Sequence, residues 1–454
     1  MVNARSFTKR IALAGFSVAA TTVAVSAQNE LPKVEFEQFT LNNGLRVILS
    51  VDSSAPVVAT FVHYHVGSKN ERSDRTGFAH FFEHLMFEGT ANIPRHTIDK
   101  LVQSAGGMLN AFTTFDETGY QIQVPKNELK LALWIESERM LHAQVNEVGV
   151  ETQRAVVKEE RKSRLDNQPY GSFLENLAKY IGKGTPYEWT PIGSAQYIDQ
   201  ATIEEFRQFY KDFYLPNNAV LAIVGDIDLK ETRNLVEAYF GDIPEGKKVT
   251  QPTFKFDKLQ LDPEFKDGEH DIVEPQTPLP ALIYAWRTVA QGSPDAYPLQ
   301  VLTTVLAQGE SSRLYKTLVD EKQMALQAAS FPITLENGGM FAMFSIGRSP
   351  DQDINGLATE FDQIVKRVQS EGITEQEFLR ARNQIETQYA GGFNSVLEKA
   401  QALAQAETFF GDPNHVNTEI DHLMKVTRED VQRVAKTYLT PANRIVLKYL
   451  VPNH

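Results

Sequence analysis

Residues His80-Phe81-Phe82-Glu83-His84 set two imidazoles four positions apart, with a carboxylate beside the second. On a helix such positions share one face, about 6 Å apart along the axis. Two imidazoles so placed can hold one divalent cation, with zinc–nitrogen bonds of about 2.0–2.1 Å. Glu83 lies close enough to accept a proton from a water at that cation. The chain has no cysteine. Thiolate zinc sites, disulfides, iron–sulfur clusters and thiol nucleophiles are therefore excluded, and a tightly bound metal must use His, Asp or Glu.

The setting supports a metal. Phe78, Phe81, Phe82, Leu85, Met86 and Phe87 make the segment apolar nearly all round, which predicts a buried helix ending near Gly89. Two histidines and a glutamate on a buried helix need partners, and a divalent cation supplies one to all three. Catalytic zinc commonly takes three protein ligands. Residues 151–166 read as an acid-rich helix, and spacing alone leaves Glu151, Glu159 and Glu160 all open as the third ligand.

The elements that position these groups recur. TIEEFRQFYKDFYLPNNAVLAIVGD begins at Thr202, and TREDVQRVAKTYLTPANRIVLKYLV begins at Thr427. Each opens on a capping-box pattern, Thr with Glu205 or Asp430 at the third position on. Each helix ends at a proline, Pro216 or Pro441, equally far from its Thr, and an apolar strand follows. The equal spacing predicts a duplicated domain. Phe36–Leu41 and Leu45–Val51 flank the turn signal Asn42-Asn43-Gly44, Val57–Val66 reads as a strand, and helical patterns lie near 96–106, 126–144 and 151–166. The expected class is α+β, as two homologous mixed α/β sandwich domains. The expected divisions are 1–27, a signal peptide; 28–245, a metal-binding domain; 246–274, a charged, proline-bearing linker; and 275–454, the homologous domain.

Composition bounds the partners. Hydrophobic residues at 42% and charged residues at 23% fit an ordinary globular chain. A net charge of −13 disfavours nucleic acid and anionic lipid. Arg5, Lys9 and Arg10 precede a chargeless stretch, Ile11 to Ala27, and Val25-Ser26-Ala27 offers small residues for cleavage before Gln28. This reads as an export signal, placing the mature chain in the periplasm or outside the cell; a mitochondrial presequence is the rival reading. Removing residues 1–27 takes away three positive charges, so the mature charge is −13 − 3 = −16. No later stretch is apolar enough to span a membrane.

The chain resembles the pitrilysin/insulinase family of peptidases with an inverted H-x-x-E-H zinc motif, most of all the branch of mitochondrial processing peptidase and its bacterial relatives. The matching pieces are NNGLRVIL, GSKNE, GFAHFFEHLMFEGT, LNAFTTFDETGY, QRAVVKEE, YLPNNAVLAIVGD and SSRLYKTL, spread over nearly the whole mature chain. The resemblance implies one zinc per chain and a fold forming half of a clamshell. It puts the third ligand on Glu160, at the end of Val156-Val157-Lys158-Glu159-Glu160. It implies that zinc activates a water for attack on a peptide bond and that Glu83 is the general base. It implies that Asn110, Ala111, Phe112 and Thr113 form an edge strand to which a peptide substrate adds.

Two departures stand out. Many family members carry a supporting glutamate where this chain has Gln153. Catalytically complete members also carry an Arg/Tyr pair that contacts substrate, where this chain has Val319 and Leu326. The glycine-rich loop of the non-catalytic partner subunit is absent, because only Gln308-Gly309-Glu310-Ser311 precedes Ser312-Arg313-Leu314-Tyr315. These features imply a zinc-bearing subunit of a heterodimer whose homologous partner supplies Arg and Tyr, with a homodimer as the alternative. The other functional readings are a presequence-processing peptidase subunit and a non-catalytic structural core subunit; the intact motif argues against the last.

Overall fold

The computed structural model describes residues 33–257, 259 and 268–452. The expected signal peptide lies outside them, as does most of 258–267 in the expected linker. Among the described residues, six strands form a first sheet: β1 Glu37–Thr40, β2 Arg46–Val51, β3 Val57–Tyr64, β4 Met108–Thr113, β5 Thr118–Pro125 and β6 Ala219–Gly225, in the order β1-β2-β6-β3-β5-β4. Five more form a second sheet: β7 Glu269–Val273, β8 Ala281–Thr288, β9 Ala325–Thr334, β10 Gly339–Gly347 and β11 Arg444–Leu450, in the order β7-β11-β8-β10-β9.

The two sheets share one topology. With β1 set aside, β2-β6-β3-β5-β4 matches β7-β11-β8-β10-β9 strand for strand. β2 runs parallel to β6 and β7 parallel to β11, while the other pairings are antiparallel. The offset between equivalent strand starts, Arg46 to Glu269, Val57 to Ala281 and Ala219 to Arg444, is nearly constant. The repeat reaches single hydrogen bonds. Thr202 and Thr427 both close capping boxes, with Glu205 and Asp430. After each proline, Asn218 Nδ2 donates to Phe213 O and Asn443 Nδ2 to Tyr438 O, both at 2.9 Å. The chain is two homologous α/β domains, and β7, inside the expected linker 246–274, belongs to the second sheet.

The strands read as near-continuous apolar runs because both faces of each sheet are covered. On the first sheet Val47, Leu49, Val58, Val62, Leu221 and Ile223 face one core, while Ile48, Ala59, Phe61, Val220, Ala222 and Val224 face another. The first core holds the motif helix. The second is closed by the helix Val396–Phe410, from the other half of the chain, through Val396, Ala400, Leu403 and Ala404. The exchange is mutual. The helix Phe173–Ile181 places Leu177, Ala178 and Ile181 against Ile283, Ala285 and Leu447 of the second sheet. The exchanged helices, starting at Phe173 and Val396, keep the same offset as β2 and β7.

The expected hairpin is present, with Gly44 at φ 84° in its turn. The expected helices appear as Ile98–Ser104, Leu129–His142 and Glu147–Arg161, the last widening into a π-type turn over Lys162–Asp166. No helix among the described residues is long and apolar enough to cross a membrane.

Candidate metal centre

The motif occupies the helix Phe78–Leu85. Its apolar side beds on the first repeat helix, Ile203–Phe213. Phe78 and Phe81 stack on Phe206 with ring centres 4.7 and 4.4 Å apart, and Phe82 stacks on Phe209 at 5.5 Å. Ring stacking fixes the helix rotation and turns His80, Glu83 and His84 to the opposite, partly open side.

There the two imidazoles meet, with His80 Nε2 and His84 Nε2 3.3 Å apart. Glu160, near the end of the helix Glu147–Arg161, brings Oε2 to 3.1 Å from His84 Nε2 and 3.5 Å from His80 Nε2. Glu159 and Glu151 are exposed, and Glu151 pairs with Arg154 instead. Of the three acids left open by spacing, the fold therefore brings Glu160 alone to the histidines.

The set fits a small divalent cation. A tetrahedral ion with bonds of about 2.0–2.1 Å spaces its ligand atoms about 3.3 Å apart, and the three contacts here are 3.1, 3.3 and 3.5 Å. Burial and the neighbouring His84 hold His80 down at about 4, which favours the neutral imidazole that ligates metals. Contact with His84 holds the Glu160 carboxyl below its ordinary value. Two neutral imidazole nitrogens and a carboxylate converging on one point repel each other unless a cation or a proton sits between them. Among the described residues this is the one such group of His, Asp and Glu.

Glu83 accepts a hydrogen bond from Thr113 Oγ1, at 2.7 Å. Burial raises the Glu83 carboxyl, and the Thr113 bond opposes the shift. Thr113 ends β4, which pairs only with β5 and forms the edge of its sheet. Asn110 is exposed on that edge, and Ala111, Phe112 and Thr113 are half-buried. The expected edge strand thus runs up to the expected base.

Several contacts at the site carry no signal in the sequence pattern. Arg164 Nη1 reaches the second oxygen of Glu160 at 2.7 Å. Glu71, in the loop ahead of the motif helix, grips its start by accepting from Gly77 N at 2.9 Å. Gln153 Nε2 donates to Glu88 Oε1 at 2.6 Å, and Arg95 Nε donates to Glu88 Oε2 at 2.6 Å. Gln153 therefore serves a buried carboxylate just beyond the motif helix. Val319 lies half-buried in the turn Tyr315–Glu321, and Leu326 lies 55% exposed on β9. Arg313 nearby is committed to a two-pronged contact with Glu377, at 2.7 and 2.8 Å.

Comparison with known proteins fits this geometry. Residues 46–188 match the family described as Insulinase (Peptidase family M16), and residues 200–385 match the Peptidase M16 inactive domain. Zinc protease PqqE of Helicobacter pylori is 30% identical over 445 residues, covering 95% of this chain and 97% of the relative. The chain belongs to the M16 peptidase family. Among solved structures, a protease from Helicobacter pylori matches this M16 chain with a TM-score of 0.85 at 26% identity, over 92% of this chain and 100% of that one. The periplasmic protease PqqL from Escherichia coli shares the fold, with a TM-score of 0.74 at 19% identity. That match covers 93% of this M16 chain but 48% of PqqL. The family profile divides as the site does: the M16 peptidase match ends at 188 and holds His80, Glu83, His84 and Glu160, and the inactive-domain match begins at 200.

Proposed function

We propose that this M16 chain is a zinc metallopeptidase that hydrolyses peptides or small unfolded proteins, with one zinc per chain held by His80, His84 and Glu160 and with Glu83 as general base. The observation that carries this reading is the convergence of the three ligand atoms within 3.1–3.5 Å beside a carboxylate on the same helix. Zinc, when bound, lowers the pKa of water to near 7 and polarises a carbonyl.

The chain's own residues do the rest. Thr113 holds Glu83 Oε2, so Oε1 is the atom that takes a proton from water and returns it to the leaving amine. The raised Glu83 carboxyl brings its proton affinity closer to that of the groups it serves. The free edge of β4 offers the main chain of Asn110–Thr113 to an extended peptide, which ends its added strand at Thr113 beside Glu83.

The absence of an Arg/Tyr pair at Val319 and Leu326 supports a heterodimer in which a homologous subunit completes the chamber. The match to about half of PqqL agrees with one chain being half of a clamshell. PqqL is a periplasmic protease by name; that and the residues before Gln28 support export, and N-terminal sequencing of the mature chain is expected to begin at Gln28.

The test of the base is Glu83→Gln. It should retain wild-type zinc and lose cleavage of a mixed peptide pool by about 10²–10⁴-fold. A Glu83→Gln chain that cleaves at the wild-type rate would falsify the assignment. The heterodimer is tested by mixing the chain with a homologue that carries the Arg/Tyr pair. The mixture should outpace either chain alone, and equal rates would rule the partner out.

A further inference from the structure

The motif helix is poorly equipped to hold itself. It has eight residues, about two turns, and so short a helix gains little from its own hydrogen bonds. Its first four N–H groups have no partner within the helix. Its N-cap is Gly77, which has no side chain to offer and sits at φ 97°. Serine, threonine, aspartate or asparagine would normally cap here. No such residue fits, because a Cβ at Gly77 would lie 3.0 Å from both Ile192 O and Ile198 Cδ1, in a left-handed backbone.

The missing cap comes from Glu71. Its Oε2 accepts from Gly77 N at 2.9 Å and its Oε1 from Ala79 N at 2.8 Å. Trp189 Nε1 adds a third donor, at 3.1 Å from Oε2, and Trp189 is itself fixed by Ser68 O at 3.0 Å. Glu71 is buried, and among the described residues no Lys or Arg forms an ion pair with it. A carboxyl placed there without a cation is costly: burial pushes it up to about 8, and the hydrogen bonds it accepts from Ala79, Gly77 and Trp189 oppose the shift. All three are N–H donors, and two of them come from the backbone immediately ahead of His80.

We infer that Glu71 is a positioning residue of the proposed metal site: it anchors the first turn of the motif helix and so sets where His80 and His84 present their Nε2 atoms to Glu160. The inference rests on the metal-site reading above. The aromatic bed of Phe206 and Phe209 fixes the rotation of the helix, and Glu71 fixes its position along its axis. Neither touches the metal, yet the spacing of 3.1–3.5 Å depends on both.

The test is zinc affinity of the folded full chain, measured by chelator competition, with the absorption spectrum of the cobalt-substituted protein as a reporter of ligand geometry. Glu71→Gln replaces one acceptor oxygen by an NH₂ that opposes Gly77 N or Ala79 N. It should weaken zinc binding by about 10- to 100-fold, the usual effect of removing an outer support of a metal site. It should also alter the cobalt spectrum while leaving the far-UV circular dichroism unchanged. Trp189→Phe removes one donor, keeps an aromatic ring and should give a smaller loss in the same direction; it serves if Glu71→Gln fails to fold. Wild-type zinc affinity and an unchanged cobalt spectrum in Glu71→Gln, or in Trp189→Phe if that alone folds, would overturn the role of Glu71 and leave the metal site standing. A wild-type chain that binds no zinc would overturn both.

Discussion

At the residue scale, the motif explains itself only once its neighbours are named. His80, Glu83 and His84 are legible in the sequence because the i, i+4 spacing places both imidazoles on one face of any helix. The proposed third ligand is not legible from spacing, because Glu151, Glu159 and Glu160 share a helix whose rotation depends on packing. Val157 is buried; Glu160, three residues on, lies toward its face and is half-buried, whereas Glu159 lies nearly opposite Val157 and is exposed. Gln153 is also clarified. A glutamate there would face the carboxylate of Glu88, now 2.6 Å from the Gln153 amide, and two such groups cannot both ionise cheaply. Gln153→Glu should therefore destabilise the chain above the ordinary carboxyl range and be tolerated better in acid. Urea midpoints at two pH values check this, and a pH-independent midpoint difference would count against it.

At the element scale, the strands and the repeat were readable, whereas the exchange of helices was not. Apolar runs between turn signals and the cap–helix–proline–strand unit are local patterns. Leu403 shares one core with Ile48 and Val220, residues from the opposite half of the chain, and this leaves no local trace. The helix Val396–Phe410 looks like any amphipathic segment until the first sheet is seen to need a second cover. Leu403 is wholly buried in that cover. Leu403→Ala should cost about 2–5 kcal/mol. It should do so in one cooperative transition that takes the first half with it. Two separate melting steps, with the first half unaffected, would contradict the exchange.

At the scale of the whole molecule, the turn between β9 and β10 reaches into the first half. Glu336, in that turn, meets His65 Nε2 at 2.7 Å and pairs with Lys69, while Lys69 Nζ lies 3.0 Å from Asp116. Tyr187 Oη donates to Asp116 at 2.7 Å and receives from Asn337 N at 3.0 Å. Lys69 is fully buried between two carboxylates. Lys69→Met should cost about 3–5 kcal/mol, since it strands charges that the cation now satisfies. Burial alone would raise the Glu336 carboxyl, but His65 and Lys69 outweigh it and hold it at about 2. A depressed folded value adds stability above the ordinary carboxyl range, near pH 4–5, and loses it as pH falls toward 2. Glu336→Gln should flatten that acid limb, and an unchanged slope would show that the lock does not join the halves.

Zinc counted by elemental analysis in the purified, folded chain and in its His84→Ala variant tests the metal site most directly. One zinc per chain is expected in the wild type and none in the variant, and peptide cleavage by the wild type, alone or mixed with a homologue that carries the Arg/Tyr pair, should be lost to a chelator. No zinc in the wild type, or an undiminished count in His84→Ala, would overturn the metal site.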